Sequence, residues 1–328
     1  MRRRTALMSA SAALAMSLLG ACASEGDSPS PSEQTASASA SANTIEPAAT
    51  DDNLAVQVTG EVNPDVKPTV QITTPLSVTE TSRKIVAKGT GPEVKSTDKI
   101  AFAYSLYAGS TGEELDSSYG KTPARFELPK ITMGLARGFV GTHVGDRVVI
   151  AIAPSDGFGD AVKNFGKENV DASTTIVVVA DVVKIVPTMA EGTAVTPPAG
   201  LPTVVTNDKG VPTGFTITDE TPPANLVVQP LIEGTGEPLT AGMNVSMQYV
   251  GATLSDGKVF QSSWESSPFQ SIVGTGQLIP GWDKGLIGQR VGSRVLLVIP
   301  ASEAYGDEPP SGAPAGALVF VVDILDSF

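Results

Sequence analysis

Residues 278–288 read Leu-Ile-Pro-Gly-Trp-Asp-Lys-Gly-Leu-Ile-Gly, the one stretch of the C-terminal third with a helical pattern. Proline is tolerated in the first turn of a helix, where its missing N–H has no partner to lose, and glycine is favoured just past the last turn. Pro280 and Gly288 therefore bracket a short helix over 280–287. The segments around it are β-branched and apolar: Leu226–Ile232, Val245–Thr253, Arg294–Ile299 and Leu318–Leu325 read as strands. Ser255-Asp256-Gly257-Lys258 is a hairpin signal, because aspartate and glycine accept the positive φ such turns require. A mostly antiparallel sheet wrapped on one short α-helix follows, an α+β layout.

The same order occurs once before. Pro68-Thr-Val-Gln-Ile-Thr73 faces Pro212-Thr-Gly-Phe-Thr-Ile217, offset by 144; Lys88-Gly-Thr-Gly91 faces Glu233-Gly-Thr-Gly236, and Glu114–Ser118 faces Val259–Ser263, both offset by 145. Gly134-Leu-Ala-Arg-Gly138 faces Gly281-Trp-Asp-Lys-Gly285 at 147, and Thr175–Val183 faces Ala317–Leu325 at 142. Small insertions with the order preserved indicate a duplicated domain and not a solenoid, whose period would be far shorter. The expected division is a first domain at 54–187, a Pro/Gly/Ala/Thr-rich linker at 188–200, and a second domain at 201–328.

The remaining residues read as export machinery. Arg2, Arg3 and Arg4 precede an apolar stretch from Ala6 to Ala21 that ends in Leu-Leu-Gly-Ala-Cys22, the layout of a secretory signal and too short to span a bilayer. Cys22 is the only cysteine, so no intramolecular disulfide can form. Its segment resembles a bacterial lipobox, in which the cysteine is lipidated and becomes the first mature residue; ordinary cleavage that leaves a free thiol is the alternative. Residues 1–21 are thus expected to be removed and 22–53, rich in Ser, Ala, Pro and Thr with Ile45 the only large apolar residue, to form a disordered tether. The implied location is extracytoplasmic, on the cell membrane through the lipid anchor. Removing three arginines takes the formal charge from −13 to −13 − 3 = −16, a balance that disfavours nucleic-acid binding.

Aromatic residues are scarce, 5% of the chain, yet Tyr249, Phe260, Phe269, Trp282, Tyr305 and Phe320 recur through the second copy at the ends of elements. On spacing alone they are either core or the lining of a site. Residues 227–328 resemble the FKBP-type peptidyl-prolyl cis-trans isomerases over the whole domain. The resemblance is carried by Gln248-Tyr-Val-Gly251, Asp256-Gly-Lys-Val-Phe260 with Ser262-Ser263, Pro268-Phe269, Leu278-Ile-Pro-Gly-Trp282 with Gly285-Leu286, Val291-Gly292, Ile299-Pro300, Ala304-Tyr-Gly306 and Ala317-Leu-Val-Phe320.

That resemblance implies two FKBP-like domains and, in the second, a proline pocket. Trp282 would be its floor, Tyr249, Phe260, Phe269 and Phe320 its walls, and Leu278 and Ile279 its edge. The Ile279 N–H and the Tyr305 hydroxyl would hydrogen-bond substrate carbonyls. Rotation about an X–Pro bond meets a barrier of about 20 kcal/mol because amide resonance is lost. The twisted amide is less dipolar than the planar one, so an apolar pocket shaped to it lowers that barrier. No cofactor or metal is implied, and His143, the only histidine, reads as a solvated turn residue.

Two positions depart from the family pattern. Gln261 stands where an aspartate usually accepts a hydrogen bond from the pocket tyrosine, and Ser271 replaces a second aromatic. The first copy departs further: Leu135 stands for Trp282, Leu115 for Phe260, Ala124 for Phe269, Val178 for Phe320 and Phe158 for Tyr305, while Tyr104, Asp116 and Phe126 remain. It reads as a spacer, docking or chaperone-like module. The expected partners are proline-containing exported polypeptides, with the family's macrolide inhibitors as candidate ligands. A non-catalytic binding or holdase module on the same fold is the alternative function, and an inert surface spacer or adhesin a third that leaves the pocket aromatics unexplained.

Overall fold

The computed structural model describes residues 44–309 and 312–328. Residues 1–43, which include the stretch read as a signal, Cys22 and most of the expected tether, lie outside the described residues. In the first domain the strands are β1 (Ala49–Thr50), β2 (Val56–Thr59), β3 (Thr69–Ile72), β4 (Ser82–Ala87), β5 (Lys99–Ala108), β6 (Glu114–Ser117) and β7 (Ala124–Glu127), followed by the helix α1 (Met133–Phe139), β8 (Arg147–Ile152) and β9 (Ile176–Val186). The second repeats them as β10 (Thr193–Ala194), β11 (Thr203–Thr206), β12 (Pro212–Thr216), β13 (Val227–Glu233), β14 (Asn244–Thr253), β15 (Val259–Ser262), β16 (Phe269–Ile272), α2 (Pro280–Leu286), β17 (Arg294–Ile299) and β18 (Leu318–Ser327).

The two main sheets have the same topology, β1-β4-β8-β9-β5-β6 with β7 on β5, and β10-β13-β17-β18-β14-β15 with β16 on β14. Every ladder in them is antiparallel except β1 on β4. The duplicated α+β architecture expected from the sequence is therefore what the chain adopts.

The central strands β8 and β17 are buried along their whole length because both faces of each sheet are covered. The two-residue period of a strand sends alternate side chains to opposite faces. In β17, Val295, Leu297 and Ile299 join the cluster beneath α2, whereas Leu296 and Val298 join a second cluster under the β11–β12 hairpin. Val148, Ile150 and Ile152 of β8 likewise face α1, and Val149 and Ala151 face the β2–β3 hairpin. Each fully buried leucine or isoleucine here contributes roughly 2–3 kcal/mol of transfer free energy. Gly281 lets α2 lie directly on the sheet, since a Cβ there would stand 2.4 Å from Ile299 Cγ2.

One buried ion pair in each domain fastens the hairpin to the sheet. Arg294 donates Nε to Asp323 Oδ1 at 2.6 Å and Nη2 to Oδ2 at 2.8 Å, and its Nη1 reaches the Gly210 carbonyl between β11 and β12 at 3.2 Å. Arg147 pairs with Asp181 in the same bidentate way, at 2.6 and 2.7 Å, and donates to Gly60 O and Glu61 O just beyond β2. A buried charge is costly unless it is paired and hydrogen-bonded, and every guanidinium nitrogen of these two arginines has an acceptor.

Two segments differ from their expected roles. Residues 44–53 do not behave as tether: Ile45 packs on the first core, Ala48 is buried and donates to Arg137 O at 2.7 Å, and β1 pairs with β4. The one large apolar residue of an otherwise polar stretch supplies the reason. Within 188–200, read as linker, the Ala190 N–H binds Asp323 Oδ2 at 2.9 Å, the Glu191 N–H binds Gly292 O at 2.8 Å, and β10 adds an edge strand to β13. This stretch is docked on the second domain. The domains also touch directly, since Asp326 is buried between Arg125 and Lys184 of the first domain, and the Arg125 guanidinium lies 4.3 Å from the Phe328 ring centre.

Candidate active site

The antiparallel registers bring the second copy's aromatics to one face. Tyr249 projects from β14 on the helix side with Val245 and Met247; Phe269 follows because Met247 pairs with it in β16, and Phe320 because Gly251 pairs with it in β18. Trp282 comes from the first turn of α2 and is only 4% exposed. Tyr249, Phe269 and Phe320 surround its indole at ring-centre distances of 5.2, 6.1 and 5.3 Å and interplanar angles of 90, 86 and 89°. Edge-to-face contacts of this kind are the favoured geometry for aromatic quadrupoles and add to the area buried. The indole N–H is buried without a hydrogen-bond partner.

Above this floor opens a cavity of about 560 Å³ lined by Tyr249, Gln261, Phe269, Gln277, Leu278, Ile279, Pro280, Trp282, Tyr305 and Phe320. Eight of the nine sequence-derived site residues line it. Phe260 is not among the lining residues; half-buried, it meets Phe320 edge-on at 5.7 Å between ring centres. Gln277 and Pro280 also line the cavity: Pro280 reads in the sequence only as the start of the helix, and Gln277 has no distinguishing sequence signal beyond its place beside Leu278. Tyr305 is 40% exposed, so its hydroxyl stands at the mouth. The turn that carries it is tied to α2 by Lys284 Nζ and Glu303 Oε1 at 3.1 Å.

Burial, and secondarily the neighbouring Tyr305 phenol, pushes the Tyr249 hydroxyl above the ordinary phenol pKa. It stays neutral and can donate to a carbonyl oxygen. No hydrogen bond joins it to Gln261, whose side chain is exposed. The Ile279 N–H immediately precedes α2 and forms no intrachain hydrogen bond, while the Ile279 carbonyl accepts from Trp282 and Asp283. The site thus offers an apolar, aromatic floor with a few polar groups at its rim, the usual make-up of a small-ligand pocket. Among the described residues no three His, Cys, Asp or Glu side chains cluster to hold a metal ion, and His143 is an exposed turn residue in a bridge with Glu93.

The equivalent region of the first domain is filled. Leu135, Phe158, Val162 and Val170 are buried in one apolar cluster, with Ala161 and Phe165 packed against it. Phe158 meets Phe165 edge-on at 6.0 Å across a 3-10 segment, Gly159–Phe165, that has no counterpart among the described residues of the second copy. The aromatic bulk has moved into the core, where Phe102 and Phe139 stack 4.5 Å apart at the positions of Met247 and Leu286. Tyr104 still donates its hydroxyl to Asp116 Oδ2, at 2.6 Å.

A family model described as FKBP-type peptidyl-prolyl cis-trans isomerase matches residues 91–183 and 236–325, more than half of the chain. Both matched segments begin after the hairpins, so β2–β3 and β11–β12 lie outside them. The FK506-binding protein of Streptomyces anulatus is 44% identical over 108 residues, which are 32% of this chain and 87% of that protein. FK506-binding protein 4 of Mycosarcoma maydis is 41% identical over 105 residues, 32% of this chain, and the match spans only 28% of that protein. Among solved structures, the three FKBP domains of wheat FKBP73 align with 75% of this chain and 94% of their own at 20% identity, with a TM-score of 0.32.

Proposed function

The chain belongs to the FKBP-type peptidyl-prolyl cis-trans isomerase family, and from that premise we propose that its second domain catalyses X–Pro isomerisation while its first serves as a folded, inactive docking module. The observation that carries the proposal is the Trp282 indole, ringed at right angles by Tyr249, Phe269 and Phe320 beneath an open cavity. A prolyl ring fits against such a floor by dispersion and shape. In this reading the Ile279 N–H and the Tyr305 hydroxyl hold the carbonyls on either side while the intervening amide twists. Water-poor surroundings favour the less dipolar twisted state, and groups held in place need no reorganisation as it forms. Replacing an uncatalysed step of tens of seconds gives such an activity its use in folding.

The substrates in this reading are proline-containing exported polypeptides, met outside the cytoplasm by a protein held on the membrane through a lipid at Cys22. The basic, apolar and lipobox-like run of residues 2–22 supports it. FK506-type macrolides are the small molecules the pocket would take, by analogy with the relatives named for binding them. A second reading, a binding or holdase module with little turnover, draws on Gln261, which leaves the Tyr249 hydroxyl without the carboxylate partner that Tyr104 has.

A protease-coupled assay on a proline tetrapeptide tests the proposal. The full chain should accelerate isomerisation, and Trp282→Leu should lower kcat/KM by at least about tenfold, which is 1.4 kcal/mol of transition-state stabilisation. Circular dichroism should show the variant folded, since leucine already occupies this place as Leu135. An undiminished rate in folded Trp282→Leu would overturn the assignment.

A further inference from the structure

The connection from β16 to α2 runs over 273–279, seven residues, whereas its counterpart from β7 to α1 runs over 128–132, five. The two additional residues are the step by which the repeat offset changes from 145 to 147. They bring a structure that the first domain lacks. Gly274 and Gly276 have φ of +71° and +77°, a region that only glycine enters freely. Their two N–H groups converge on one carboxylate: Gly274 donates to Asp283 Oδ1 at 2.7 Å and Gly276 to Asp283 Oδ2 at 2.6 Å.

At the position of Asp283 the first domain has Ala136, which offers no acceptor, and its shorter connection closes instead through a 3-10 turn, Leu128–Lys130. Insertion and acceptor occur together in the copy with the open cavity and are absent together from the filled one. Asp283 follows Trp282 in the same helical turn, and the loop it holds leads straight into Gln277, Leu278 and Ile279 on the cavity rim. Floor and rim are thereby referenced to one turn of helix.

We infer that Asp283 is a positioning residue for the proline pocket, one that fixes the 273–279 loop so that the Ile279 N–H meets the substrate carbonyl. The inference rests on the isomerase reading of this cavity. Asp283 touches no substrate in this account; it acts through two charge-assisted hydrogen bonds to the loop. Small misplacements of an orienting group reduce turnover steeply, so the effect falls on kcat.

The test compares the full chain with Asp283→Ala and Asp283→Asn. In Asp283→Ala, kcat should fall about tenfold with KM changed less than about twofold. Hydrogen exchange of a peptide spanning 273–279 should quicken, while exchange in β17 stays slow. Asp283→Asn keeps one acceptor oxygen and the side-chain size, so it should recover part of the rate, and it carries the test should the alanine variant fail to fold. Wild-type kcat in a variant whose 273–279 exchange has quickened would overturn the inference alone. A wild-type chain that binds proline peptides without turning them over would overturn the isomerase reading, and the inference with it.

Discussion

Tyr104 and Asp116 form a hydrogen bond of 2.6 Å in a domain whose pocket is filled, and the equivalent pair, Tyr249 and Gln261, form none in the domain whose pocket is open. The two copies have divided the family's features between them. The first keeps the tyrosine-carboxylate pair and has Leu135 in place of the indole; the second keeps the indole and has an amide in place of the carboxylate. A hydrogen bond to a carboxylate is about twice as strong as one between neutral groups, so the second domain lacks a strong tie to its tyrosine hydroxyl that the first has.

Gln261→Asp should therefore rebuild in the second domain the bond seen in the first. The expected outcome is a several-fold gain in kcat/KM or in macrolide affinity, worth about 1 kcal/mol. Titration of the phenols by ultraviolet absorbance should show the Tyr249 hydroxyl moved further upward. No change in either turnover or affinity would remove Gln261 as a determinant of activity.

Alkaline pH should unfold the first domain before the second. Burial raises the Tyr104, Tyr107 and Tyr119 phenols above their ordinary value of about 10, helped at Tyr104 by Asp116 and at Tyr119 by Asp181. In the second domain the resolved upward shift is at Tyr249 alone. A group with a raised folded-state pKa keeps a proton that the unfolded chain gives up. Its contribution is full below about pH 10 and falls as pH rises beyond it. Urea midpoints of the two separated domains between pH 9 and 11.5 should drop more steeply for the first, and Tyr119→Phe should flatten its slope. Equal slopes would contradict this.

If Cys22 carries the lipid anchor, Cys22→Ala should move the protein from the membrane to the soluble fraction without altering the turnover of the folded domains. Unchanged membrane fractionation of Cys22→Ala would exclude anchoring through this residue.

Much of this was legible in the sequence because its signals are local or repeated. The Pro280 to Gly288 bracket gave the helix, and β17 runs over the same residues, Arg294–Ile299, that its β-branched run had marked. The pocket aromatics could be placed because antiparallel register and the two-residue period follow from the strands. What escaped depends on tertiary contacts without a period of their own. Phe260 meets Phe320 edge-on and is not among the cavity's lining residues, Asp283 matters only through two loop N–H groups, and Ile45 orders a polar stretch by reaching a core some 40 residues or more onward. Nor does spacing tell that Ala190, in a stretch rich in proline and glycine, donates to a carboxylate 133 residues away.

The most direct test of the account is prolyl turnover by the two domains made separately, as residues 44–187 and 188–328, so that each keeps its edge strand and hairpin. The second fragment retains the Ala190 bond to Asp323 and β10, which a fragment starting at 201 would lose. In the protease-coupled assay 188–328 should isomerise a proline tetrapeptide at close to the rate of the full chain. Residues 44–187 should be folded by circular dichroism and leave the uncatalysed rate unchanged. Equal turnover by the two fragments, or activity in the first alone, would contradict the assignment of the site to the Trp282 pocket.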